Sequence, residues 1–384
     1  MAAEVKGHPG WSTESSLDEL EQLALTAGAE VVGRAVQRLE QPNPATYIGK
    51  GKLAEIVALG PRLAYTLVIF DDELTPSQQR NLEQALKVKV IDRTALILDI
   101  FARRARTREG RLQVELAQDE YLLPRLAGQW THLERLGGGI GTRGPGETQL
   151  ETDRRIVRRR IGRLKREIED VRRHRWLYRR NRRRSGIPVV ALVGYTNAGK
   201  STLMRALTGA DVLVENRLFA TLDPVTRRIG LPDGGAALLT DTVGFIQKLP
   251  AQLVAAFRAT LEELVDADLL LHVVDITHPN AADQAQTVEE TLRDLGVAEK
   301  PRITLFNKVD ALERPDGRPV EGLEELAEVA RSVRFARPDA LLVSAARRWG
   351  LQELRERIAD ALQHPERALR AEAVAAAGRW RGQA

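Results

Sequence analysis

Not one of the 384 residues is a cysteine, so disulfides, thiolate nucleophiles and thiolate-held metals are excluded. The six histidines are scattered without ligand spacing, which leaves Mg²⁺, a cation held by oxygens, as the one metal to consider. Long apolar runs are also missing: nothing reaches the ~18 residues of a membrane span. No apolar core follows Met1 as it would in a secretory leader, and the expectation is a cytoplasmic protein with no membrane insertion. What is present is a globular composition, 43% apolar and 29% charged, on a chain long enough for two or three domains.

Residues 194–202 read Gly-Tyr-Thr-Asn-Ala-Gly-Lys-Ser-Thr and follow the β-branched run Val189–Val193. A strand feeding this glycine-bounded loop into a helix turns several N–H groups and the positive end of the helix dipole toward one spot, which suits a polyphosphate. The cradle is Gly194, Tyr195, Thr196, Asn197, Ala198, Gly199, Lys200, Ser201 and Thr202. Lys200 would bridge the β and γ phosphates, and the Ser201 hydroxyl would take a position on Mg²⁺.

A second strand-like run, Pro301–Phe306, ends in Asn307-Lys308-Val309-Asp310. The Asp310 carboxylate can accept two hydrogen bonds from guanine N1–H and N2–H₂, which adenine cannot offer. The bound nucleotide is therefore read as GTP or GDP. Lys308 would lay its stem along the base, and Asn307 would tie this loop to the phosphate loop. A third run, Ala340–Val343, leads into Ser344, Ala345 and Ala346, where the Ala345 N–H could donate to guanine O6.

Between them, Ala236–Thr240 leads to Asp241-Thr242-Val243-Gly244. Asp241 would hold Mg²⁺ through water and the Gly244 N–H would touch the γ-phosphate. Upstream, the loop Phe219-Ala220-Thr221 supplies a hydroxyl for Mg²⁺, with Thr226 as the fallback. Catalytic contributions thus fall to Lys200, Thr221 and Gly244, and metal ligation to Ser201, Thr221 and Asp241. After Gly244, where many small GTPases carry a water-orienting Gln, stands Phe245. Its ring has no group to hold water, so hydrolysis by the chain alone should be slow, with a partner supplying a catalytic group.

Net charge is only +5, yet residues 151–186 hold sixteen Arg or Lys against five Asp or Glu, so the basic charge belongs to one segment. There Leu150, Val157, Ile161, Leu164, Ile168 and Val171 form an apolar seam on an Arg-rich helix, whose partner is expected between Leu112 and Leu123. Such one-sided charge, with Trp176 and Tyr178 interleaved, favours RNA phosphates, and Arg154, Arg155, Arg158, Arg159 and Arg160 are the candidates.

The stretches from Gly137 to Arg155, Val193 to Leu203, Phe219 to Arg227 and Asp241 to Ile246 together resemble the HflX family of ribosome-associated GTPases. The resemblance runs from about Ala29 to about Ala361, and the glycine-rich segment 137–155 is specific to that family. Val225 departs from the family's usual Thr, and the tail after Gln363 is short. The resemblance implies binding to the large (50S) ribosomal subunit and its rRNA and separation of stalled or idle 70S ribosomes, with GTP as the switch; a monomer is expected. The resemblance also favours contact of the glycine-rich loop 137–147 with rRNA or its bound ligands, the alternative being a slack hinge.

The expected fold is α/β: a P-loop GTPase domain with a doubly wound, mostly parallel sheet, preceded by a small parallel α/β unit and an antiparallel helical hairpin. The boundaries are 1–108, 109–185, 186–363 and a tail at 364–384. In the first of these, Ala29–Leu39, Tyr65–Phe70 and Lys87–Asp92 read as strands, and Leu17–Ala27, Lys52–Ala58 and Pro76–Leu86 as helices. An alternative function, ATP-dependent RNA unwinding at a second site in the N-terminal half, rests on Gly49-Lys50-Gly51-Lys52 and the glycine-rich loop.

Overall fold

The computed structural model describes residues 1–5, 11–128, 145–184, 186–209, 218–249, 263–314, 317–322, 325, 340–367 and 369; within the helix 145–184, side chains are described for 151–173. The chain divides into two compact units, Met1–Arg173 with Lys248–Phe257, and His174–Gln247 with Arg258–Ala384.

In the first unit, β1 (Ala2–Val5) pairs in parallel with β2 (Val36–Leu39), and β3 (Leu67–Phe70) with β4 (Lys89–Asp92). Helices α1 (Thr13–Thr26), α2 (Lys50–Leu63), α3 (Pro76–Leu86) and α4 (Arg93–Arg104) accompany them. Local chemistry sets the helix ends: Thr75 and Gln78 close a capping box ahead of Pro76 at the start of α3. Ile48, Phe70, Leu74, Leu82 and Val90 form the apolar centre. The expected strand Ala29–Leu39 is corrected to its last four residues, because β1 offers only four to pair with them.

Helices α5 (Arg108–Leu122) and α6 (Pro145–Arg184) meet through Leu112, Leu116, Leu164 and Ile168, with Ile161 and Val171 alongside. Four of the six expected seam residues thus meet α5 within the expected range Leu112–Leu123. The side chains of Leu150, Trp176 and Tyr178, and residues 137–144 of the glycine-rich loop, lie outside the described residues.

The second unit is a six-stranded sheet in the order β10-β9-β8-β5-β7-β6. Its strands are β5 (Val189–Gly194), β6 (Val225–Gly230), β7 (Ala236–Asp241), β8 (Leu269–Asp275), β9 (Arg302–Asn307) and β10 (Leu341–Leu342), with helices α7 (Lys200–Thr208), α8 (Ala281–Asp294) and α9 (Leu351–Gln363). All neighbours run parallel except β6, which is antiparallel to β7. Leu192, Leu203, Leu239, Leu271, Leu305 and Leu354 are fully buried between sheet and helices, each stabilising the scaffold by on the order of 2 kcal/mol. The central strand β5 is flanked by β7 and β8, so its carboxyl end opens at the point where chain order reverses, the usual ligand crevice of such sheets.

Candidate nucleotide site

The turn after β5 ends at Gly199, which caps α7 in the left-handed conformation with no side-chain cap. The first-turn N–H groups of α7 therefore face the loop without a side-chain acceptor. A Cβ on Gly199 would lie 2.2 Å from Asn307 Nδ2, so only glycine lets the base loop approach this closely. Lys200 is buried, and its ammonium donates to the carbonyls of Gly194 (3.0 Å) and Tyr195 (2.7 Å). Burial holds it down to about 8, against the pull of Asp241.

The three candidate metal ligands converge. Ser201 Oγ donates to Asp241 Oδ2 at 2.6 Å, Thr221 Oγ1 donates to the same oxygen at 3.0 Å, and the two hydroxyls are 2.8 Å apart. The other carboxylate oxygen, Asp241 Oδ1, is buried and has no hydrogen-bond partner. Burial pushes the Asp241 carboxyl above the usual range, against Lys200 and the two hydroxyls. Two hydroxyls around a buried carboxylate with a spare oxygen are the donor set a hard divalent cation takes, so the residues fit Mg²⁺. Thr226 is elsewhere: it lies in β6 and its hydroxyl meets that of Thr240 at 3.0 Å.

Thr196, Asn197, Gly199, Lys200, Ser201, Thr202, Phe219, Ala220, Thr221, Thr242 and Gly244 line one cavity of about 50 Å³. Two loop residues there, Asn197 (φ 60°) and Phe219 (φ 56°), hold left-handed backbone, the strain that collects at ligand-binding turns. Gly244 is packed so closely that a Cβ would lie 2.8 Å from Thr196 Cα and 2.9 Å from Lys200 Nζ. The next residue bonds back to the phosphate loop, Thr196 N–H donating to the Phe245 carbonyl (2.8 Å) and Phe245 N–H to the Gly194 carbonyl (3.1 Å). The Tyr195 hydroxyl accepts the Gln247 N–H at 2.8 Å. Phe245 itself is buried, so its ring packs in the core.

On the base side, Asn307 Nδ2 donates to the Ala198 carbonyl at 2.8 Å, joining the two loops. Ala198 is buried there, as is Val243 in the segment between Asp241 and Gly244. The Ala345 N–H, expected from sequence to donate to guanine O6, donates to Asn307 Oδ1 at 3.0 Å. The bond ties the turn after β10 to the end of β9, which β10 pairs with in parallel. Ser344 is buried and its hydroxyl accepts the Arg347 N–H, while Ala346 is exposed. Asp310 sits on a short turn of helix after β9, and its carboxylate takes no hydrogen bond or ion pair among the described residues. Lys308 Nζ lies 2.6 Å from Asp275 Oδ2, a partner that sequence reading did not find.

On α6 the arginines divide. Arg160 pairs with Glu115 (2.5 Å) and Asp119 (3.2 Å) of α5, and Lys165 with Glu120 (2.8 Å). Arg160, one of the RNA-facing candidates, is thus engaged by carboxylates of α5 that its own helix does not reveal. Arg155, Arg158 and Arg159 are exposed and line a shallow recess with Glu151 and Thr152. In the first unit the start of α2 is already engaged, Gly49 N–H donating to Gln37 and Lys52 pairing with Glu55. A cavity of about 410 Å³ in this unit is walled mainly by aliphatic chains such as Leu17, Leu20, Ile56 and Leu63 and gathers no phosphate-binding set. Among the described residues no helix is long and apolar enough to cross a membrane.

Residues 14–102, 104–182 and 189–308 match the family models described as GTP-binding GTPase N-terminal, GTP-binding GTPase Middle Region and 50S ribosome-binding GTPase. The chain is 58% identical over 300 residues to the GTPase HflX of Caldanaerobacter subterraneus, covering 78% of this chain and 70% of that protein. It is 49% identical over 297 residues to the GTPase HflX of Escherichia coli, covering 77% and 70%. To the GTPase HflX of Chlamydia pneumoniae it is 47% identical over 356 residues, covering 91% and 73%. Among solved structures, it is similar to a GTP-binding protein from Sulfolobus solfataricus in complex with GDP, with 27% identity, coverage of 94% and 99%, and a TM-score of 0.45.

Proposed function

The chain belongs to the HflX family of GTPases, and from that membership we propose a nucleotide-switched factor that docks on the large (50S) ribosomal subunit and separates stalled or idle 70S ribosomes. It is a GTP-hydrolysing enzyme. The observation that carries the switch is the meeting of Ser201, Thr221 and Asp241 beside Lys200. Three segments far apart in sequence end on one carboxylate, so whatever is bound there is sensed by all three.

Mg²⁺ would be held by Ser201 and Thr221, with Asp241 reached through water, and when bound it would neutralise charge on the β and γ phosphates. Lys200 leaves the Gly194 and Tyr195 carbonyls for the phosphate oxygens, a charge-assisted exchange. Gly244 N–H meets the γ-phosphate, and loss of that phosphate frees the 241–247 segment. Asp310 reads the guanine edge. Phe245 contributes packing only, so the water-orienting group comes from the ribosome and hydrolysis by the chain alone is slow. Arg154, Arg155, Arg158 and Arg159 face rRNA phosphates.

Pelleting with 50S subunits in GDP, GTP and a non-hydrolysable analogue, together with light scattering of 70S ribosomes, tests this reading. The analogue is expected to tighten binding roughly tenfold over GDP and to lower scattering; equal binding in all three states rejects the switch. Replacing Arg155, Arg158 and Arg159 by Glu weakens binding and reduces the salt slope by about 3, whereas Arg160→Glu leaves that slope unchanged.

A further inference from the structure

The pair formed by Asp275 and Lys308 has no role in the account above. Asp275 ends β8 directly beside Asn307 at the end of β9. Its Oδ1 accepts two hydrogen bonds from Thr277, from the N–H at 3.1 Å and the hydroxyl at 2.6 Å. Its Oδ2 faces Lys308 Nζ at 2.6 Å, with the two side chains 12% and 30% exposed. Each oxygen is thus occupied by this chain's own donors, which suits a brace better than a metal ligand or a base.

Lys308 needs a brace. Its backbone is left-handed, φ 67°, which is uncommon for a residue with a long side chain, and its four-carbon stem is otherwise free to sample many rotamers. Fixing the ammonium at the far end fixes the stem between, so the rotamer entropy is lost on folding rather than on ligand binding. The brace is itself anchored: Thr277 lies in the loop after β8, a buried strand hydrogen-bonded to β5 and β9.

We propose that Asp275 is a positioning residue for guanine-nucleotide binding: through its ion pair it holds the Lys308 stem as a preformed wall for the face of the base, while Asp310 reads the edge. The inference rests on the reading of this pocket as a guanine site. A wall recognises the ring system and not its exocyclic groups. Loss of Asp275 therefore weakens GDP and IDP equally, whereas loss of Asp310 changes their ratio.

The experiment uses the full chain, stopped-flow release of N-methylanthraniloyl-GDP and competition by GDP, IDP and ADP. Asp275→Asn is expected to speed release roughly tenfold with the association rate little changed, leaving the GDP-to-IDP ratio as in the wild type. In a Lys308→Met background the same substitution is expected to add less than about twofold, since its target is gone. Release within about twofold of the wild type, or an undiminished effect beside Lys308→Met, overturns the proposal. Should Asp275→Asn fail to melt cooperatively, Thr277→Val removes only the hydroxyl on Oδ1. It is then expected to speed release about threefold, again only while Lys308 is present, and no change overturns the proposal. Equal competition by GDP and ADP in the wild type instead removes the guanine reading itself, whatever Asp275 does.

Discussion

Asp71 in the first unit and Asp241 in the second are both almost wholly buried, and each accepts a serine hydroxyl, from Ser16 at 2.7 Å and Ser201 at 2.6 Å. Their titration runs in opposite directions. Burial alone would raise Asp71, but Arg93 at 2.8 Å and Lys248 at 2.5 Å, a residue of the same unit, hold it below the usual carboxylate range. Burial raises Asp241 and nothing fully answers it, because the nearby Lys200 ammonium is turned onto two carbonyls. The first network is complete within the folded chain. The second has one ammonium, already bonded to two carbonyls, against a carboxylate that burial still raises, and that deficit separates a site from a structural ion cluster.

The same substitution at both positions should break the likeness most sharply. Asp71→Asn leaves Arg93 and Lys248 without their shared carboxylate, and a loss of about 3 kcal/mol is expected by urea unfolding, within the range for broken buried pairs. Asp241→Asn, without nucleotide or divalent cation, is expected to cost less than about 1 kcal/mol or to stabilise, as functional sites often do when their charge is removed. Equal losses at the two would erase the distinction. In turnover the order reverses: Asp241→Asn is expected to lower GTP hydrolysis roughly 10- to 100-fold, the usual cost of a lost outer-sphere metal partner. Hydrolysis unchanged in that variant would remove Asp241 from the metal site.

Much of this contrast could be read from the chain. Lys200, Asp241, Asn307 and Asp310 each stand at the end of an apolar run, and every such run became a strand of one sheet, which is why distant motifs arrive together. What stayed hidden depended on neighbours. Leu269–Asp275 is buried along its whole length, so it has no alternation to mark it as a strand, and with it Asp275 escaped notice. Val225–Gly230 exposes Arg227 and Arg228 and is a strand because β7 lies beside it; its register with β7 carries Thr226 away from the metal ligands and leaves Thr221 among them. Arg93 and Arg160 look alike in sequence, yet one is enclosed by Glu19 and Asp71 and the other lies on α5's carboxylates.

The smallest effect is the most specific, the change of stability with pH, measured as the wild type minus each Asn variant. For Asp71 the folded carboxyl sits below its unfolded value of about 3.9, so its contribution is present above that value and is lost as pH falls through the lower, folded one. For Asp241 the folded carboxyl sits above the unfolded value, so between the two the folded chain holds more protons than the unfolded one. Stability then falls as pH rises across that window. The two difference curves should therefore slope in opposite directions, Asp71's rising toward a plateau as acid is withdrawn and Asp241's declining from about 3.9 upward. Adding Mg²⁺ with GDP should flatten the Asp241 curve, since a cation that favours the charged carboxylate brings the folded value down, and should leave the Asp71 curve where it was. An Asp241 curve that rises with pH like that of Asp71 would mean that Lys200 alone satisfies the carboxylate, and that the second network is as complete as the first.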